Sequence, residues 1–367
     1  MVNGRKIVAV AGMLALALVA GACSKSSSSS GGGTSSSFDG APLTGAGSTF
    51  AAPVYEQWGK DFHAVESGAE INYQAIGSGG GVDAFTKQTV QFGASDAPLQ
   101  PDQTSALPGP AIEVPTMLGG VAVAYNVQGL DDGLKLDAAT IGDIFDGKIT
   151  TWDDAAIAKL NPDVTLPSTA IKPVHRSDDS GTTFVFSTWV SDGSKTFKDD
   201  IGADTTLQWP ASEAGKDGSD GVAGYMKQTD GSIGYIAYDY VVANGFGSAA
   251  VEAPDGSFVA PSVDSISAAG ADLTLPITPE SNVLNSDAPG AYPIATTTYV
   301  MIYTEQTDQD QAQTLVDFFT WGLSTGQPTL AKLSYAPLPS DVATQASAEL
   351  GKVTVNGKPV TPSSNIG

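Results

Sequence analysis

From residue 43 onward, short apolar runs alternate with segments in which apolar side chains return every third or fourth position. The runs "EINYQAI" (70–76), "VQFGAS" (90–95), "VPTMLGGVAVAY" (114–125), "AIKPVH" (170–175), "SIGYIAY" (232–238) and "TTTYVMIYT" (296–304) are rich in β-branched and aromatic residues and predict strands. Phe50, Val54, Trp58 and Phe62 recur at every fourth residue, one face of a helix; "DDAAIAKL" (153–160) and "QAQTLVDFFTWGLS" (311–324) are further helical segments. Strands alternating with helices predict an α/β fold with largely parallel sheets. Two long apolar strands, near 114–125 and 291–303, are candidates to carry the chain between two lobes. The first lobe is then discontinuous, built from both ends of the chain. No period of about 20 to 50 residues repeats, which argues against a solenoid.

The pattern before residue 43 is different. Arg5 and Lys6 are the only charges in the first 22 residues and precede the apolar run "IVAVAGMLALALVAGA". A basic start and a short apolar stretch ending in small residues read as an export signal, short for a membrane span. Ala20, Gly21 and Ala22 before Cys23 have the form of a bacterial lipobox, in which the cysteine becomes the lipid attachment site. Cys23 is the sole cysteine, so no internal disulfide can form. "SKSSSSSGGGTSSSFDG" (24–40) then reads as a flexible tether with a reach of roughly 20 to 25 Å. A lipid-anchored, extracytoplasmic domain standing clear of a membrane is the expectation.

Charge narrows the partners. Across 367 residues, 17 basic against 40 acidic side chains give a net charge of -23, and loss of the leader's two cations takes it to -25. Such a field repels polyanions, which argues against nucleic acid and anionic membrane surfaces as partners. Any anionic ligand must be held by local donors that overcome the background.

Four stretches supply such donors: "GAGSTF" (45–50), "IGSGGGVDAF" (76–85), "FGASDAPL" (92–99) and "HRSDDSGTTF" (175–184). In each, a strand ends, a Gly-rich or hydroxyl-bearing turn follows, and usually a helix begins. Glycine admits a ligand close to backbone N–H groups, and a helix's first turn offers unpaired N–H donors. Arg176 alone among them makes a planar, permanently charged contact to an oxyanion; its bland alternative is a salt bridge with Asp178 or Asp179. Asp96 is the unexpected member, a carboxylate where an anion donor belongs. It either caps the turn before Pro98 or accepts a hydrogen bond from a ligand that still carries a proton.

"GAGSTFAAPVYEQW", "INYQAIGSGGGVDAF", "FGASDAPL", "GDIFDGKITTWDDAAIAKLNP", "RSDDSGTTFVF", "GSIGYI" and "LSYAPLPSDV", in this order, resemble the phosphate-binding proteins of the high-affinity bacterial phosphate ABC transporter. The resemblance runs from about Leu43 to Val342. It implies a two-lobed periplasmic-binding-protein fold of type II, each lobe a mixed sheet flanked by helices, with phosphate buried in the cleft and delivered to transmembrane permease subunits. The implied arrangement is a leader over 1–22, a lipid-anchored tether over 23–42, lobe 1 from 43–118 and 296–367, and lobe 2 from 119–295. Carried over position by position, the phosphate contacts fall on Thr49, Phe50, Ser78, Asp96, Arg176, Ser180, Gly181 and Thr182. A monomer without metal or cofactor is implied. Gly79 and Gly80 beside Ser78 depart from the family, where a second serine is common, and Ser48 before Thr49 is a milder change. One of Asp178 and Asp179 is expected to orient Arg176, with the other on the surface of the turn.

Enzymes are the rival class. "DSGT" (179–182) copies the short aspartic-protease signature, but no second D-[ST]-G occurs to share a proton with it. Ser180 and His175, five residues apart, would need an unusual fold-back to act as nucleophile and base. The only histidines, His63 and His175, have no ligand spacing for a phosphatase metal cluster. A binding protein for sulfate, molybdate or phosphonate shares the architecture, and Asp96 is the residue that discriminates against a fully ionised guest.

Overall fold

The computed structural model describes residues 40–366; the leader, Cys23 and the tether up to residue 39 lie outside the described residues. Strands β1 (Leu43–Gly47), β2 (Ile71–Ala75), β3 (Phe92–Ser95) and β4 (Ala111–Asn126) come first, with helix α1 (Ala52–His63) after β1 and helix α2 (Ser78–Thr86) after β2. They join a nine-stranded sheet in the order β2, β1, β3, Ala295–Tyr303, β4, Ser232–Ala237, Lys172–Arg176, Ala214–Lys216, with Gly247–Ser248 pairing off β4.

The direction of pairing changes along this order. β1 runs parallel to β2 and β3, and Lys172–Arg176 runs parallel to both of its neighbours. Around the two long strands every pairing is antiparallel, because Ala295–Tyr303 returns against both β3 and β4. The expectation of largely parallel sheets therefore holds for the outer strands and fails at the centre. β4 serves two neighbours in succession. Ala111 to Gly120 face Ala295–Tyr303, while Val121 to Asn126 face Ser232–Ala237. All but three of its sixteen side chains are buried, and a strand covered on both faces has no polar alternation to show.

Helix α1 starts behind Pro53, whose fixed φ suits the first turn, so Phe50 lies just before the helix rather than within it. Val54, Tyr55, Trp58 and Phe62 are fully buried against the first half of the sheet, each contributing about 1.5 to 3 kcal/mol of burial. Lys60 and His63 occupy the last turn, where the helix dipole favours cations. "DDAAIAKL" forms the helix Ala155–Leu160, its Asp154 carboxylate accepting from Ala156 N–H at 2.8 Å. The segment 311–324 forms Gln309–Leu323, capped by Asp308. Tyr238 opens the helix Tyr238–Asn244 instead of closing the preceding strand. Among the described residues no helix is long and apolar enough to cross a membrane.

Candidate functional site

Four turns converge where the two halves of the sheet meet. Two lie in the first half, between β1 and α1 and between β2 and α2; a third follows β3. The fourth, after Lys172–Arg176, leads into the helix Gly181–Gly193. At its start Ser180 Oγ accepts from Thr183 N–H at 3.2 Å, which leaves the first-turn N–H groups of Gly181 and Thr182 outside the intrahelical ladder. Gly77, at φ +83°, takes a backbone conformation that side chains resist and turns β2 into α2.

Asp96 sits at the centre, 2% exposed. Its Oδ1 accepts two hydroxyls, Ser48 Oγ at 2.6 Å and Thr298 Oγ1 at 2.8 Å. Its Oδ2 has one long contact, from Thr182 Oγ1 at 3.5 Å. One oxygen is therefore fixed and the other is left with capacity for a donor. Burial pushes the Asp96 carboxyl up, against the opposing pull of Ser48, Thr298, the Arg176 charge and Thr182. The Asp96 N–H donates to Ser78 Oγ at 3.2 Å, which ties the third turn to the second. The cap of the turn before Pro98 falls to Ser95, whose Oγ accepts from Ala97 N–H at 3.1 Å.

Arg176 is 4% exposed and enters from the second half of the sheet. Asp178 grips it with both oxygens: Nε donates to Oδ1 at 2.6 Å and Nη2 to Oδ2. The remaining nitrogen, Nη1, points to Thr182 Oγ1 at 3.5 Å and so toward Asp96. Burial raises the Asp178 carboxyl, but the hydrogen bonds and charge of Arg176, with Gly218 N–H at 3.0 Å, outweigh it and hold it below its ordinary value. Asp178 is thus the orienting carboxylate, and Asp179 is exposed. The two bland alternatives fare differently. Asp96 does not cap its turn, whereas Arg176 does form the salt bridge and still has an edge free for a guest.

The halves touch through close backbone approaches. Gly79 N–H donates to Asp179 carbonyl at 3.1 Å, and a Cβ on Gly79 would fall 2.0 Å from the Asp179 carboxylate. The departure from serine at this position therefore makes room for Asp179. A Cβ on Gly181 would lie 2.4 Å from Ser78 Oγ and 3.0 Å from Asp96. Thr49 is buried and meets Ser219 across the boundary, and the Phe50 carbonyl accepts the Tyr335 hydroxyl. A cavity of about 320 Å³ lined by Thr49, Pro53, Gly218, Ser219 and Tyr240 opens beside this ring.

All eight residues expected to touch a ligand lie on these converging turns and are buried. Ser48, Thr298 and Ser219 were not among them. Ser48 had counted only as a mild family difference, Thr298 sits in a threonine-rich strand, and Ser219 opens the helix Gly218–Lys227 far along the chain. Their only signal is the hydroxyl, which is too common to mark a site. Among the described residues no group of three or more His, Cys, Asp or Glu is placed to hold a metal ion.

A family profile described as a PBP superfamily domain matches residues 25–322. A phosphate-binding protein PstS of Xylella fastidiosa strain 9a5c is 38% identical over 309 residues, covering 83% of this chain and 84% of that protein. One from Pasteurella multocida is 34% identical over 310 residues, covering 84% and 89%. Among solved structures, a high affinity periplasmic phosphate-binding protein bound with phosphate has a TM-score of 0.69 at 23% identity, covering 84% of this chain and 93% of the other. A phosphate ABC transporter substrate-binding protein from Clostridium perfringens, termed putative and also holding phosphate, has a TM-score of 0.58 at 21% identity, covering 81% and 100%.

Proposed function

The chain belongs to the PBP superfamily and, within it, to the phosphate-binding proteins named PstS, and on that premise we propose that it binds inorganic phosphate outside the cytoplasmic membrane and delivers it to an ABC permease. It is a carrier of its ligand and not an enzyme. The observation that carries this reading is the Asp96 carboxylate, with one oxygen saturated by hydroxyls and the other turned toward Thr182 and Arg176.

Phosphate near neutral pH keeps at least one proton, and sulfate keeps none. In our reading Asp96 Oδ2 accepts that proton's hydrogen bond, while sulfate meets it lone pair to lone pair. A buried group left unpaired by the wrong guest discriminates by about 10⁴ or more. Attraction comes from Arg176, from the N–H groups of Thr49, Phe50, Gly181 and Thr182, and from the hydroxyls of Thr49, Ser78, Ser180 and Thr182. These dipoles are needed because Asp178 already neutralises much of the arginine and the chain as a whole is strongly acidic.

We take 43–118 with 296–367 as one lobe and 119–295 as the other, a division supported by the change of partner on β4 between Gly120 and Val121. Closure of the lobes expels water and buries the anion; opening at the permease releases it. Cys23 carries the lipid, residues 23–42 act as the tether, and the protein works as a monomer. Parallel calorimetric titrations with phosphate and sulfate test the reading: phosphate should bind tightly and sulfate should give no heat of binding. Equal affinity for both anions would end it.

A further inference from the structure

We propose that Ser219 is a positioning residue for the anion, one that turns the Thr49 hydroxyl toward it from the opposite half of the sheet. This rests on reading the converging turns as a phosphate site. Thr49 Oγ1 lies 2.9 Å from Ser219 Oγ and also receives the Ser219 N–H at 3.3 Å. Thr49 is 7% exposed and Ser219 1%, so water does not compete freely for either hydroxyl.

A hydroxyl has one hydrogen and two lone pairs. The Ser219 N–H occupies one lone pair of Thr49. If Thr49 gave its hydrogen to Ser219, it would have none for a guest. If Ser219 gives its hydrogen to Thr49, both lone pairs are filled and the Thr49 hydrogen must point elsewhere. With the phosphate proton directed to Asp96, the oxygen beside Thr49 accepts, so it selects the second arrangement: Ser219 O–H to Thr49 O–H to anion, a chain whose bonds strengthen one another.

The same helix start also reaches the arginine. Gly218 N–H donates to Asp178 Oδ1 at 3.0 Å, next to the bond from Arg176 Nε to that oxygen. Gly218, at φ +64°, faces Thr49, and a Cβ added to it would lie 3.5 Å from Thr49 Cγ2. The first turn of Gly218–Lys227 therefore secures a ligand group on each half of the sheet, Arg176 through Asp178 and Thr49 through Ser219. Parting the halves breaks only the second link.

The test is a double-mutant cycle read by phosphate titration of the full chain and its variants Ser219→Ala, Thr49→Val and the pair. Ser219→Ala should weaken phosphate about fivefold, the worth of one hydrogen bond, with the change in the dissociation rate by stopped flow. In the Thr49→Val background the same substitution should change affinity less than about twofold, because its target is gone. Equal losses in both backgrounds, or no loss in either, overturn the role of Ser219. Should Ser219→Ala not fold, Ser219→Cys keeps the shape with a weak donor and must give the same pattern. Absence of phosphate binding by the unaltered chain removes the site reading itself, a result distinct from an additive cycle.

Discussion

Asp96 and Arg176 are proposed to have opposite tasks, and their substitutions should separate them. Asp96→Asn keeps the shape and removes the fixed negative charge. It should retain substantial phosphate binding while sulfate begins to bind, which calorimetry with both anions measures; sulfate still excluded would refute the role given to the carboxylate. Arg176→Ala should weaken phosphate by about 2 to 5 kcal/mol, the cost of losing a buried charged hydrogen bond. An unchanged dissociation constant would remove Arg176 from the site. These two residues stood out in the sequence because few residue types offer the same chemistry, a permanent planar cation and an acid at a strand end where donors belong, and both are buried among the converging turns. The choice between Asp178 and Asp179 was not legible, since neighbours in a turn point to different sides and only the fold says which one meets the arginine. Thr298 lies 202 residues from Asp96 along the chain. No local pattern marks such a pair.

At the scale of elements, β4 is the part on which site and core depend together. Gly119 faces the Phe50 ring, and a Cβ there would come within 2.3 Å of it. That ring is already held edge-on by Tyr335, with centroids 5.6 Å apart. Gly119→Ala should therefore cost about 1 to 3 kcal/mol of stability by overpacking and also weaken phosphate, because the turn bearing the Thr49 and Phe50 N–H groups must shift. Gly224, in the helix Gly218–Lys227, has open space around it, and Gly224→Ala should raise the melting temperature by the equivalent of about 0.5 to 1 kcal/mol with phosphate affinity unchanged. Thermal melts and titrations of the two variants check both expectations. The six runs rich in β-branched and aromatic residues all contain strands, whereas β1, Ala214–Lys216 and Gly247–Ser248, short and glycine-bearing, carried no such signal. Strand directions were not readable, since parallel and antiparallel pairing bury the same side chains.

The whole molecule should be more stable in mild acid than in mild base. Burial, with Asp146 nearby, raises Glu213 to about 9; burial raises Glu113 to about 7 against the Leu99 N–H; and burial raises Asp239 to about 7. Each of these carboxyls holds its proton in the folded state at pH values where the unfolded chain has released it. Their contribution is fully present below the ordinary carboxyl range and is lost as pH rises through the folded values, by about 1.4 kcal/mol per unit and per proton. Stability should fall from about pH 5 to 7, where the folded state keeps three protons that the unfolded chain has released, then more gently toward 9, where only Glu213 still keeps its own. Asp178 acts the other way, but only as pH drops below the ordinary aspartate range. Denaturant melts from pH 5 to 9 check the slope, and a midpoint that climbs with pH contradicts it. The net charge of -23 acts in the same direction, since acid relieves its self-repulsion. A last consequence belongs to the two strands proposed as crossings, which are paired antiparallel over Ala111–Gly120 and Ala295–Tyr303. Neither can slip along the other without breaking that ladder, so the proposed closure must be a rotation about this pair. In the proposed closure, displacement grows with lever arm and is largest at β2 and Ala214–Lys216, the two outer margins of the sheet. Fluorescent reporters fixed there would register the arrival of phosphate, and a pair fixed beside Gly120 would stay blind to it.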